Sequence, residues 1–207
     1  MAEIIERELK LLIPDEVTWA LIRAHLVDTR PSLGAVTQTN TYFDTRDRRL
    51  LRAATGMVRI REEDGAFEVT CKDKVLSDDG ELVTRERTDP LEPADALDAL
   101  NQRKALTDIE VELCISLLQE QRDALYPIGA LVNHRHRFEL GDGYVLELDR
   151  TELPGQTEYE IEIELTEGHH SFAGARAALG AVLPEALVEP LSPSRSKYRR
   201  FLAALGR

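Results

Sequence analysis

The chain has 207 residues, of which 43% are hydrophobic and 31% charged, and a formal net charge of −12. That acidic balance argues against nonspecific binding to nucleic acid or to an anionic membrane, since both need basic surface to displace counterions. No apolar run approaches the ~20 residues of a membrane-spanning helix. The start of the chain lacks a signal-peptide pattern, and Cys71 and Cys114 lack zinc-site spacing, so a cytoplasmic protein with reduced thiols is expected.

The first stretch, "EIIERELKLLI" at residues 3–13, is open to two readings. In a strand Glu6, Glu8 and Lys10 share one face, opposite Ile5, Leu9 and Leu11. In a helix the same letters give only a Glu6–Lys10 pair on a charged face. "DEVTWALIRAHLVDT" then predicts a helix with Asp15 as its N-cap. Four short alternating stretches follow: "TQTNTYFDT", "GMVRIREED", "GAFEVTCKDK" and "GELVTRERT". The segment from Pro90 to Gln121 is expected to contain helix. "ALVNHRHRFEL", "GYVLELDR" and "TEYEIEIEL" resume the strand pattern, and "HHSFAGARAALGAVL" and "SPSRSKYRRFLAAL" predict two closing helices. No repeat, low-complexity tract or linker divides the chain, so one α+β domain of roughly eight strands over residues 1–207 is expected.

The strands carry their charge on one side. Arg59 and Arg61 oppose Val58 and Ile60, and Glu68, Thr70 and Lys72 oppose Phe67, Val69 and Cys71. Arg85 and Arg87 alternate with Thr84, Glu86 and Thr88. Arg135 and Arg137 oppose His134, His136 and Phe138; Glu147 and Asp149 oppose Leu146 and Leu148; Glu160, Glu162 and Glu164 oppose Ile161, Ile163 and Leu165. An ordinary sheet with one wet face would mix Thr, Ser, Gln and Lys there. Strands that each contribute one sign of charge suit a closed barrel with a charged interior, its apolar outside covered by helices near residues 16–29, 170–183 and 194–205. His134 and His136 read as packing or polar surface, His169 and His170 have no metal spacing, and Cys71 reads as a small buried apolar residue.

The ordered set "ERELK", "YFDT", "RIR", Lys72, the basic residues at 85–87 and 135–137, "LELD", "YEIEIEL" and "SKYRRF" resembles the CYTH superfamily, the triphosphate tunnel metalloenzymes, in its small stand-alone bacterial form. The resemblance implies an eight-stranded antiparallel β-barrel forming a tunnel, and metal-dependent hydrolysis of a triphosphate with Mg²⁺ or Mn²⁺. It implies metal ligands at Glu6, Glu8, Glu160 and Glu162. Asp149 is the candidate for a second metal or for orienting water, and Glu164 lies nearer the rim. Lys10, Arg59, Arg61, Lys72, Arg85, Arg87, Arg135, Arg137 and Lys197 would bind phosphate, with Arg137 open to pairing with a carboxylate instead. Glu8, Glu162 and Lys10 form the catalytic set, and Glu147 is structural. The basic pair Arg85 and Arg87 stands where relatives often place a carboxylate as well. Arg supplies planar bidentate donors, Lys a mobile point charge, and hard carboxylates a divalent ion, the mixture a metal–polyanion complex requires. Inorganic triphosphate is the expected substrate. A class IV adenylyl cyclase and a noncatalytic polyphosphate- or phosphonucleotide-binding module are the alternatives. No nucleic acid or membrane partner is expected of the monomer or homodimer.

Overall fold

A computed structural model describes residues 1–53, 56–76, 82–165 and 170–206. The chain opens with strands β1 (Ala2–Glu6) and β2 (Glu8–Ile13), helix α1 (Glu16–Thr29), β3 (Ser32–Asp44) and the short α2 (Arg49–Ala53). Strands β4 (Gly56–Glu63), β5 (Ala66–Leu76) and β6 (Leu82–Leu91) precede α3 (Pro93–Leu100), a 3₁₀ turn at Leu106–Asp108, and α4 (Glu112–Gln121). Then come β7 (Tyr126–Gly141), β8 (Tyr144–Leu153), β9 (Gln156–Glu164), α5 (Phe172–Val182), α6 (Glu185–Val188), β10 (Ser192–Pro193) and α7 (Lys197–Ala204). Every strand and helix expected from the sequence is present. Ten strands are described instead of eight, because the first stretch breaks at Arg7 and a two-residue β10 joins the edge of β2. Among the described residues, no helix is long and apolar enough to cross a membrane.

The residues group into two compact units, Met1–Glu6 with Gln38–Leu131, and Arg7–Thr37 with Val132–Arg207. In the first, the strand order is β1-β6-β5-β4-β3, with antiparallel pairing throughout. Asp64 and Gly65 form the two-residue loop between β4 and β5 with φ of 50° and 79°, the doubly positive backbone that suits a hairpin's twist. Val58, Ile60, Val69 and Cys71 point from one face into a core completed by α3, the 3₁₀ turn and α4, through Ala96, Ala99, Leu106, Leu113 and Leu117. Cys71 is buried there as expected, its thiol pushed up to about 11 mainly by burial. The "YFDT" motif organises the start of α2. Fully buried Asp44 accepts hydrogen bonds from the backbone N–H groups of Thr45 (2.7 Å), Leu50 (2.9 Å) and Leu51 (3.1 Å).

In the second unit the order is β7-β8-β9-β2-β10, again antiparallel. Pro154 and Gly155 close the β8–β9 hairpin. Proline presets the first loop position and Gly155, at φ +79°, takes the left-handed second one. That loop pairs Leu153 with Gln156 and, further down the ladder, Asp149 with Glu160 and Glu147 with Glu162. The apolar face (Leu9, Leu11, Leu146, Leu148, Ile161, Ile163) packs in one core with Ile22 and Leu26 of α1 and Ala175 and Leu179 of α5. Each large aliphatic side chain buried there contributes ~1.5–3 kcal/mol. Asp15 caps α1, its Oδ1 accepting from Thr18 N at 2.8 Å. His170 stacks on Tyr144 with ring centroids 4.0 Å apart, and His169 lies outside the described residues. With α1 and α5 on its apolar side, the second sheet carries its charge on the other. It is this charged side, not the apolar one expected for residues 194–205, that α7 meets through Lys197 and Arg200.

Candidate metal and phosphate site

Alternation along β2, β7, β8 and β9 places Lys10, Arg135, Glu147, Asp149, Glu160 and Glu162 on the same side of the second sheet. Register makes them neighbours, since Arg135 lies opposite Asp149, Asp149 opposite Glu160, and Glu162 between Glu147 and Lys10. Asp149, Glu160 and Glu162 are 0%, 1% and 4% exposed, and a carboxylate oxygen from each lies within 4.8 Å of the other two. Three buried acids this close persist only with cations among them.

Four cations stand against them. Arg135 forks onto Asp149 (Nε–Oδ1 2.8 Å, Nη2–Oδ2 2.7 Å), and also meets Glu162 at 2.5 Å and Glu147. Lys10 Nζ bridges Glu162 (2.7 Å) and Glu8 (2.8 Å). Lys197 Nζ, at the start of α7, touches all three acids: Asp149 Oδ2 and Glu160 Oε1 at 2.7 Å, and Glu162 Oε1 at 2.8 Å. Arg200, one turn on, pairs with Glu160 and with Glu158 (3.2 Å) and donates to Ser194 Oγ at 3.0 Å. Ser194 Oγ in turn donates to Glu160 Oε2 at 2.9 Å.

This arrangement separates the carboxyl groups electrostatically. Burial alone would raise Glu162, but Lys10, Lys197 and Arg135 outweigh it and hold the group well below the usual carboxylate range. Asp149 is lowered likewise, Lys197 and Arg135 overcoming burial. Glu160 goes the other way, because burial and neighbouring Glu162 exceed the pull of Lys197. Burial pushes Glu147 up to about 7 against the attraction of Arg135. The surrounding acids hold Lys10 and Arg135 well above their ordinary values, despite burial.

The remaining expected metal ligands lie elsewhere. Glu8 adjoins the cluster through Lys10. Glu164 pairs in register with Glu8 at the exposed end of β9 and is not among the three converging acids. Glu6 belongs to the first unit, where it pairs with Lys72. Lys72 also meets Glu86 at 2.7 Å, so the opening acidic motif is divided at Arg7 between two strands with different partners. Arg137 pairs with Glu147 at 3.6 Å, which is the carboxylate alternative.

In the first unit, Arg61 pairs with Glu68 at 3.1 Å. Arg59, 8% exposed, carries two buried nitrogens, Nε and Nη2, that make no hydrogen bond among the described residues. Arg85 and Arg87, expected as phosphate ligands, are placed otherwise than the strand pattern suggested. They stand opposite Asp73 and Cys71, on the face of the sheet that carries the apolar core, whereas Glu86 stands opposite Lys72. Arg85 forks onto Asp73 (3.1 and 2.6 Å), and Arg87 binds Glu120 of α4 (2.7 and 3.1 Å). Both guanidinium groups are spent on structure. Glu86 and Arg200 were missed. The parity of Glu86 with Thr84 and Thr88 could have found the first, and the i+3 spacing from Lys197 the second.

A CYTH domain model matches residues 4–189. Among solved structures, a candidate adenylyl cyclase from Hippeastrum, described as having a dominant triphosphatase activity, aligns with a TM-score of 0.78 at 24% identity, covering 96% of each chain. A candidate adenylate cyclase from Bacillus halodurans aligns with a TM-score of 0.76 at 25% identity, covering 97% of this chain and 99% of its own. Another from Vibrio parahaemolyticus gives 0.54 at 17% identity, covering 96% and 98%. No curated protein matches the chain.

Proposed function

The chain belongs to the CYTH domain family, and from that premise we propose that it is a divalent-metal-dependent triphosphatase acting on inorganic triphosphate. The observation that carries this reading is the convergence of Asp149, Glu160 and Glu162, with four cations in contact with them. A cluster built only to bind a polyanion has no use for buried acids. Hard, closely spaced carboxylate oxygens suit Mg²⁺ or Mn²⁺, and these three residues would hold the ion. When bound, such an ion neutralises phosphate oxygens and acidifies a water.

The chain's own residues do the rest. Arg135, forked onto Asp149 and in contact with Glu162, holds both carboxylates in place. Lys10 and Lys197 supply compact charges to phosphate oxygens. Glu8, beside Lys10 and less buried than the three acids, accepts the proton of the attacking water. In the first unit, Arg59, Arg61 and Lys72 are proposed phosphate ligands. The two nitrogens of Arg59 that find no partner among the described residues support its assignment.

A panel of inorganic triphosphate, ATP and thiamine triphosphate, each with Mg²⁺ or Mn²⁺, tests the proposal by scoring phosphate, pyrophosphate and cyclic AMP. Phosphate from inorganic triphosphate, abolished by EDTA, is expected. Cyclic AMP and pyrophosphate as the main products would assign a cyclase instead. Tight binding without turnover would assign a noncatalytic module.

A further inference from the structure

Among the described residues, Lys197 is the cation that bridges all three acids of the cluster, with its ammonium 2.7–2.8 Å from an oxygen of each. It differs from its neighbours in how it is held. Lys10 and Arg135 project from paired strands of the sheet, and Arg135 is pinned by its planar fork. Lys197 reaches in from the first residue of α7 on a flexible four-carbon stem. The next turn of that helix is anchored separately, by Arg200 on Glu158 and Glu160 and by buried Phe201 and Leu202. The side chain is therefore free to leave without carrying the helix.

We infer that Lys197 is a built-in exchangeable cation, which neutralises Asp149, Glu160 and Glu162 until a divalent ion displaces its ammonium toward solvent or a bound phosphate. The inference rests on the metal reading proposed above. A divalent ion needs the same oxygens at ~2.0–2.1 Å, so it and the ammonium compete for the same lone pairs. The exchange breaks three ammonium–carboxylate contacts and forms metal–carboxylate ones, with no change of covalent bonding. It lets the acids remain buried without mutual repulsion, at the expense of metal affinity. It also makes one lysine answer first to the metal and then to phosphate.

The test is a Mn²⁺ titration followed by electron paramagnetic resonance, without any phosphate compound, on the wild type, Lys197→Met, Lys197→Arg and Glu162→Gln. Removing the competitor should tighten Mn²⁺ binding about ten- to a hundredfold in Lys197→Met, the range expected for charge-assisted contacts. Lys197→Arg, which restores the charge, should bind near the wild-type level. Equal or weaker binding by Lys197→Met would overturn the exchange. If wild type and Lys197→Met both show no saturable binding, the metal reading itself fails. A second readout needs no variant at Lys197, in case the unpaired acids unfold it. In ¹⁵N-lysine-labelled wild type, Mg²⁺ should shift and deprotect the Lys197 ammonium signal while the Lys10 signal stays protected. Continued protection of Lys197 at saturating Mg²⁺ would overturn the exchange.

Discussion

The charged faces of the two units spend their charges differently. In the second unit, each cation of the cluster touches two or more carboxylates, and the acids there sit nearly out of solvent. In the first, Lys72 is shared by Glu6 and Glu86, yet Arg59 keeps two buried N–H nitrogens with no hydrogen-bond acceptor among the described residues. A buried donor left without a partner costs ~1–3 kcal/mol, a cost an incoming oxyanion removes. On the proposed reading, the second face is prepared for a cation and the first retains capacity for an anion. Counting arginines and acids along the chain does not separate these two states; partnering does.

Glu162→Gln is the hardest blow to this division. It keeps the shape of the side chain but leaves Lys10, Lys197 and Arg135 facing a neutral amide. Triphosphate hydrolysis should fall on the order of a thousandfold or more, ~4 kcal/mol or above, at saturating Mn²⁺. Phosphate-release kinetics check it, and activity within tenfold of wild type would break the assignment of the second face to metal.

Next in size is a pH effect on the same face. Glu147 titrates at about 7 when folded, against an ordinary 4.5. Between these values the folded chain binds a proton that the unfolded chain lacks. In EDTA, stability should therefore rise as pH falls from about 7 to about 4.5, by up to ~3 kcal/mol, and Glu147→Gln should flatten the slope. Asp149 and Glu162, held below their ordinary values, contribute the opposite trend under more acidic conditions. Their stabilisation is complete above the unfolded carboxylate pKa and is lost as pH falls through their folded values. Urea midpoints across this range decide the matter. A wild type that weakens steadily from neutral to mildly acidic pH contradicts the assignment to Glu147.

The smallest effect sharpens the comparison most. Arg59→Ala should lower kcat/KM about ten- to a hundredfold (~1.5–3 kcal/mol), leave Mn²⁺ affinity unchanged and raise, not lower, the melting temperature of the unliganded protein. Arg87→Ala should do the reverse, losing ~1–2 kcal/mol of stability with its Glu120 pairing, at nearly constant kcat/KM. A shared phenotype for the two arginines would mean that face and partnering do not separate their roles.

Strands could be read from the sequence because alternation is a local property. Leu146, Glu147, Leu148 and Asp149 announce both a strand and its charged side, whereas the roles of Asp149, Glu160 and Glu162 as metal candidates rest on the family resemblance and Glu147 reads as structural. "LVTRERT" defeated the same reasoning because both of its faces carry charge. Which face meets the core depends on Asp73 and on Glu120, the latter far along the chain on α4. The break at Arg7 was hidden for a related reason. Glu6, Glu8 and Lys10 keep an unbroken alternation, while the pairing partner changes from β6 to β9. The threefold bridging by Lys197 was equally invisible, since it depends on how α7 packs.

The Pro154–Gly155 loop behaves like a reading frame for the chemistry several residues away. Two residues of turn align Asp149 with Glu160 and Glu147 with Glu162. A slip of β9 by one position would set Ile161 or Tyr159 opposite Asp149 and turn the glutamates toward the apolar core. The side chains of the site could then all be present, in the correct order, and the cluster would not exist. An inserted residue here is tolerable only where a bulge absorbs it before Glu158, so variation in this hairpin should be in residue type rather than in length.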